Sequence, residues 1–459
     1  MRNKFLFLLP VFLLVHLFFL ANLRFTAWPE MFSYPYLKNH NYLLYRDIVH
    51  PYTPVLTLAL AYVYRIFDYN LATLEWFSWG IILFSTVCVW FLTRQVAKST
   101  KAAVISTSLY VLLQPFLDGN MLWFDIAIVP PVLLGTLFLF RNKLLWSGIF
   151  FALAAFTKQT AGLFYLAALL FVARGRLART SRRPLAEFLV GPLVFSVPLL
   201  VRLWQENALT GFWKWVVWYP ATQWSKFPGY VQMNIGVADQ KILLLLLALL
   251  VLACWWGKKG MNKDTSLLFA LGGLSLVTIY PRFSFFHFQL ALAFWSILCG
   301  LFLAKVTARI FVPTVTAFAL IMIYLLHYPA IRVAWRKEAR FAGAGDREFA
   351  RNVAQVTKEN ETVFLQGAPS QLYVMARRLP PKPWADNYVW YLEIPGVQEE
   401  ILSRWDQNPP LYIFWRIPTS GNWFDLGTYQ PEKIVEYIKT NYNFERKVDS
   451  GIQIWKRKS

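Results

Sequence analysis

Charge is the scarcest thing in this sequence. Of its 459 residues only 15% are Asp, Glu, Lys or Arg, against about a quarter in soluble globular chains. With 57% hydrophobic residues and a mean hydropathy of +0.40, that shortage excludes an ordinary soluble domain. Acids are scarcer still, 25 Asp and Glu against 46 Lys and Arg, for a net charge of +21. No basic domain stands apart, so nucleic acid is excluded as a partner. The cations gather instead in short loops between apolar runs, as in a polytopic membrane protein. Cysteine is rare too. Cys88, Cys254 and Cys299 all fall inside apolar runs, without metal-ligand spacing or a disulfide framework, and read as packing residues. There is no glycine-rich nucleotide fingerprint and no internal repeat of the transporter kind. No small-x-small cleavage site follows the first apolar run, which ends at Ala21. That run therefore reads as a retained anchor, with the N-terminus cytoplasmic.

What is abundant is apolar sequence in runs of spanning length, at 4–23, 72–93, 102–117, 126–140, 185–204, 241–256, 266–281, 287–304 and 310–329. The run 54–67 is short for a bilayer. Counting it as a span would move every later basic loop outside, whereas a helix lying at the outer surface keeps Arg94–Lys101, Arg141, Lys143, Arg174–Arg183 and Lys258–Lys263 inside. The stretch 144–173 is broken only by Thr157-Lys158-Gln159-Thr160. A hairpin of two short helices returns both basic flanks to the cytoplasm and leaves Lys158 at the outer apex. The sequence thus predicts an α-helical polytopic membrane protein of about eleven spans.

The expected division is a transmembrane domain over 1–330, with a first external loop at 24–71, and an extracytoplasmic α/β domain over 331–459. The tail alternates helix-like Asp346–Asn360 and Pro431–Thr440 with strand-like Thr362–Leu365, Leu411–Trp415 and Ile452–Trp455. The 204–240 loop is rich in Trp and Tyr, as at a headgroup interface or along a wall guiding a lipid carrier.

Polar groups that could do chemistry converge on the outer side of this topology. The first loop holds Glu30, His40, Arg46, Asp47 and His50. Asp118 and Asp125 flank the start of a span, Lys158 caps the hairpin, and Arg282 and His287 share a turn. Each has a plainer reading. Asp47 beside Arg46 can be an ion pair that only fixes the loop, Asp125 can cap a helix, Asp118 before Gly119 belongs to a turn, and Arg282 can snorkel. His16 and His327 lie inside spans as packing or interfacial residues. Glu30 with the histidines offers irregular spacing for a divalent ion, so no cofactor is expected.

On these residues the chain resembles the GT-C superfamily of polyprenyl-phosphate-sugar-dependent glycosyltransferases, in the branch of protein mannosyltransferases and aminoarabinose transferases. It is nearest to the RgtA/B/C/D-like bacterial enzymes. Tyr45-Arg46-Asp47 with Pro51-Tyr-Thr-Pro54 is similar to that family's first external loop, Asp125 to its second-loop acid, Thr157-Lys158 to its threonine–lysine between short helices, and Arg282 through His287 to an arginine–histidine turn. Many members carry a paired acid after the first span. Here Trp28-Pro29-Glu30 stands instead, and the general base lies open between Glu30 and Asp47.

The resemblance implies a sugar moved from a polyprenyl-phosphate donor to an acceptor hydroxyl at the outer face of the plasma (inner) membrane, with inversion. Asp47, Glu30 and Asp125 would be the catalytic acids, and Arg46, Lys158, Arg282, His287 and His50 would bind substrate. A carboxylate would take the acceptor's proton while cations meet the departing phosphate. The competing readings are a transporter or flippase of a polyprenyl-linked saccharide and a non-catalytic membrane scaffold.

Overall fold

Apolar composition decides most of the local structure, and polar residues mark where each element stops. Asn70 accepts the Thr73 N–H at 2.8 Å and starts the 27-residue helix Leu71–Ala97. Ser99 accepts the Ala102 N–H and opens Thr100–Leu113. Both are side-chain caps of helix donors otherwise left without partners. The computed structural model describes residues 7–176, 183–257, 263–416, 429–448 and 451–458. Parts of the basic loops at Arg174–Arg183 and Lys258–Lys263 lie outside that set.

The chain is mostly helical. Among the described residues four helices are long and apolar enough to cross a membrane: Leu71–Ala97, Leu185–Gln205, Val237–Trp256 and Ala308–Ala334. Shorter apolar helices include Leu8–Asn22, Leu144–Thr157 and Gln289–Leu303. The stretch 144–173 is indeed broken at Lys158. Leu144–Thr157 ends there, a single 3-10 turn covers Gln159–Ala161, and Gly162–Arg176 follows.

The chain divides into two compact units. The first comprises Met1–Thr26, Glu75–Leu199 and Val231–Glu338. Its core is built around Gln289–Leu303, buried along its whole length. Thr100–Leu113 packs against this helix so closely that a side chain at Gly300 would meet Ser106 Oγ at 1.9 Å, which is why glycine stands there. His16 and His327 are structural, as their positions suggested. His16 bonds Thr86 and Gln114 at 2.9 Å each, and His327 bonds the Leu112 carbonyl at 2.8 Å. All three cysteines are free.

The second unit comprises Ala27–Leu74, Leu200–Tyr230 and Ala339–Ser459. It contains one four-stranded sheet: β1 (Val363–Gln366), β2 (Tyr412–Arg416), β3 (Tyr442–Lys447) and β4 (Ile452–Arg457), in the order β1-β2-β4-β3. β1 and β2 run parallel, and the other pairings are antiparallel. The parallel step needs a long crossover, and Gln371–Ala376, Val389–Leu392 and Val397–Trp405 supply it. Trp405 is fully buried against Phe364 of β1, and Ile434 and Ile438 of Glu432–Asn441 are also in the core.

Two parts of this unit differ from the sequence expectation. The first loop contains a helix, Glu30–Asn39, in which Glu30 through Leu37 are all buried, so no one-sided apolar pattern betrays it. The Trp- and Tyr-rich stretch is a chain of short helical turns with a split role. Trp215 and Trp224 are buried against Tyr391, while Trp204, Trp213 and Trp218 are exposed.

Candidate active site

Three polar residues far apart in sequence meet at one end of the first unit. Asp125 lies in the short helical turn Phe124–Ala127, Lys158 in the break between Leu144–Thr157 and the following 3-10 turn, and His287 just before Gln289–Leu303. Lys158 Nζ donates to Asp125 Oδ1 at 2.5 Å, and His287 Nδ1 lies 2.8 Å from Asp125 Oδ2. The Asp125 side chain is 1% exposed, those of Lys158 and His287 10% and 16%. The capping reading of Asp125 is therefore set aside, because both oxygens face side chains. A carboxylate buried to this degree requires such partners, since an unpaired charge would cost several kcal/mol. The geometry of the break explains the lysine. Lys158 adopts an extended backbone, φ −145° and ψ 126°, turning its side chain off the helix axis.

Arg282 lies on the same turn as His287, half-buried. Its N–H donates to the Ile279 carbonyl, and the backbone pairs with Gln232. Asp118 is in the left-handed region at φ 49°, as its turn reading required. Among the described residues no three His, Cys, Asp or Glu side chains gather to hold a metal ion.

The first-loop residues belong to the second unit. Asp47 is used heavily. It accepts from Arg46 Nε at 3.0 Å and from the Leu43 N–H at 3.0 Å, and Lys382 Nζ stands 3.5 Å away. Burial pushes its carboxyl up, but Arg46, the Leu43 N–H and Lys382 outweigh that and hold it below the usual range. The cations it holds are themselves open, with side chains 47% and 43% exposed. The loop is clamped by backbone as well. Trp384 N–H donates to the Asp47 carbonyl, and Val49 N–H donates to the Trp384 carbonyl, both at 2.9 Å. Gly211 passes so near that any Cβ there would lie 2.0 Å from the Tyr45 carbonyl oxygen.

His50, expected to bind substrate, has both ring nitrogens occupied, by the Tyr52 carbonyl at 2.7 Å and Thr57 Oγ1 at 2.8 Å. Burial lowers its pKa to about 4. His40 Nδ1 lies 2.8 Å from the Tyr36 carbonyl.

Glu30 has a neighbour that sequence reading did not find. It is buried at the start of Glu30–Asn39, takes a hydrogen bond from Tyr388 Oη at 3.0 Å, and lies near a second buried acid, Asp386. Glu30 Oε2 and Asp386 Oδ2 have no hydrogen-bond partner among the described residues. Burial first, and the Asp386 charge second, push Glu30 up to about 8; burial raises Asp386 as well. The acids Glu30 and Asp386 thus favour sharing a proton. A signal existed in Pro380-Pro381-Lys382-Pro383-Trp384-Ala385-Asp386, an acid in a proline-stiffened aromatic loop, but nothing local tied it to Glu30.

The linkage has a definite sign. Folded Glu30 keeps a proton that the unfolded chain loses near its ordinary value of 4.5, so stability declines as pH rises from there through about 8. Glu30→Gln is neutral throughout. The unfolding midpoint of the wild type is expected to fall more between pH 5 and pH 8 than that of Glu30→Gln. Equal slopes would show that Glu30 ionises normally in the folded protein.

No known protein family matches the sequence, and no curated protein matches it either. Solved structures do. ArnT from Cupriavidus metallidurans in the apo state superposes with a TM-score of 0.65 at 11% identity, covering 99% of this chain and 98% of that one. The same protein bound to undecaprenyl phosphate gives 0.63 at 12%, with the same coverage. The Archaeoglobus fulgidus oligosaccharyltransferase in its apo form gives 0.60 at 13%, over 100% of this chain and 75% of that chain. Identity this low speaks for architecture alone, but the match runs nearly end to end. At the level of architecture, this chain shares the fold of ArnT and of the archaeal oligosaccharyltransferase.

Proposed function

We propose that this protein is a membrane glycosyltransferase that moves a sugar from a polyprenyl-phosphate-linked donor to an acceptor hydroxyl at the outer face of the membrane, inverting the anomeric centre. The observation that carries the reading is the buried Asp125–Lys158–His287 constellation. It sets a proton-accepting group beside a cation, with Arg282 on the same turn, in a fold shared with ArnT. Glycosyl transfer from a lipid phosphate needs that combination: a base for the incoming hydroxyl and positive charge for the leaving phosphate. Asp125 is met by the nitrogen groups of Lys158 and His287, with no second carboxylate against it among the described residues, and this supports direct displacement over a glycosyl-enzyme intermediate. In this reading the chain crosses the plasma (inner) membrane about eleven times. Its N-terminus is cytoplasmic, and the 331–459 α/β domain, the first loop, Asp125, Lys158 and the Arg282–His287 turn are outside. The bound ligand of the ArnT complex, undecaprenyl phosphate, suggests the carrier class.

The test is transfer by the purified full-length protein in nanodiscs, offered undecaprenyl-phosphate-linked sugars and a membrane extract as acceptor. Labelled sugar is expected to leave the lipid and appear in a new glycosidic bond, and Asp125→Asn to slow this by about a thousandfold. Full activity in Asp125→Asn, Asp47→Asn and Glu30→Gln alike would end the assignment. Movement of lipid-linked sugar across vesicles without a new bond would make the protein a flippase.

A further inference from the structure

We propose that the group taking the acceptor's proton is His287, through Nε2, with Asp125 as the positioning residue behind it; this rests on the glycosyl-transfer reading. A first-loop carboxylate was the sequence expectation. The structure gives three reasons to look at the imidazole instead.

The first is access. Asp125 is 1% exposed at its side chain and His287 is 16% exposed, so a hydroxyl entering the cluster reaches the ring before it reaches the carboxylate. The second is the tautomer. An ionised carboxylate only accepts hydrogen bonds, so the 2.8 Å contact to Asp125 Oδ2 places the imidazole proton on Nδ1. Nε2 is then the nitrogen with the lone pair, while the ring's contact to the carboxylate runs through Nδ1. The third is charge. Asp125 is already balanced by Lys158 at 2.5 Å, so the resting ring need not be an imidazolium. The backbone also fixes the ring's base. His287 N–H donates to the Ser284 carbonyl at 3.0 Å, and the His287 carbonyl accepts from Thr278 Oγ1 at 3.3 Å. The Phe286 ring, 4.1 Å away between centroids, gives one side an apolar wall. The charged groups facing the imidazole are Asp125, Lys158 and Arg282.

The step balances. Nε2 takes the hydroxyl proton while the acceptor oxygen bonds to the anomeric carbon. The bond from that carbon to the phosphate oxygen breaks, and its electron pair leaves on the lipid phosphate. The imidazolium formed is stabilised through Nδ1–H by Asp125, and its proton passes to water after release. A base held by an orienting carboxylate is the general arrangement for activating a hydroxyl.

The experiment has two arms, both on the full chain in nanodiscs. In the first, ¹⁵N-histidine labelling reads the tautomer of His287, assigned by its loss in His287→Gln. Wild type is expected to show the Nδ1–H form, and Asp125→Asn to convert the ring to a mixed or Nε2–H form. In the second, His287→Gln and His287→Asn are assayed for transfer from undecaprenyl-phosphate-linked sugars. His287→Asn can still donate to Asp125 but carries no base. Both are expected to lower kcat by about 10²–10⁴-fold with KM changed little, and to remove the acid limb of the pH profile. An Nε2–H tautomer in the wild type, or kcat within threefold of wild type in either folded variant, overturns the proposal. Transfer by the wild type then still leaves the glycosyltransferase reading standing. If no transfer is seen from the wild type at all, it is that reading which fails.

Discussion

Lys158→Met is expected to destabilise the protein by about 3–5 kcal/mol, because it strips the cation from a carboxylate with almost no access to water. The Asp125 side chain is 1% exposed, and its other oxygen meets His287. The loss is therefore mainly the penalty of an uncompensated charge, and it should largely disappear when that charge is removed as well. The double variant Asp125→Asn/Lys158→Met is expected to recover most of the unfolding midpoint, a coupling that a double-mutant cycle reads directly. Activity should not recover, since the orienting carboxylate is gone. A Lys158→Met protein within 1 kcal/mol of wild type would mean that the pair carries little of the local structure.

Arg378→Met should lower stability by about 3 kcal/mol through a different mechanism. Arg378 is 4% exposed and serves as a C-terminal cap for the helix Ala344–Val356. Its guanidinium donates to Thr357 Oγ1 at 2.7 Å, to the Ala376 carbonyl at 2.7 Å, to the Ala354 carbonyl at 3.2 Å and to the Thr357 carbonyl. A methionine of similar length fills the space but leaves those acceptors without donors, and positive charge at a helix C-terminus is lost as well. Hydrogen exchange should quicken first over 354–378, before the sheet is affected. Uniform protection in that segment would show that solvent replaces the guanidinium without difficulty.

The elements legible in the sequence were those whose signal is local. The break at Lys158 could be read because a polar tetrad interrupts an otherwise apolar stretch. Strands β1 and β2 could be read because buried strands are compact apolar runs, and β4 because its Ile452 and Ile454 alternate with less buried neighbours. β3 was not, since only Tyr442 of its six residues is buried and an edge strand shows no alternation. Asp125, Lys158 and His287 were each singled out as a polar group at the end of an apolar run. Their mutual contact was not legible, because a spacing of 162 residues between Asp125 and His287 leaves no local trace. Tyr388 lies 358 residues from the Glu30 it bonds, and Asp386 and Lys382 were missed for the same reason. His50 could be singled out as a polar residue in a polar loop, but its contacts to the Tyr52 carbonyl and Thr57 Oγ1 within that loop left no pattern in the sequence.

The order of the constellation along the chain has a consequence for biogenesis. Translation delivers Asp125 first, Lys158 33 residues later, and His287 last. A nascent chain from which Asp125 has left the ribosome while Lys158 is still inside it would present an acid to the insertion machinery with no counter-ion of its own. Ribosome-stalled intermediates at that stage should therefore lean on lipid or translocon for that charge, and those long enough to expose both residues should not.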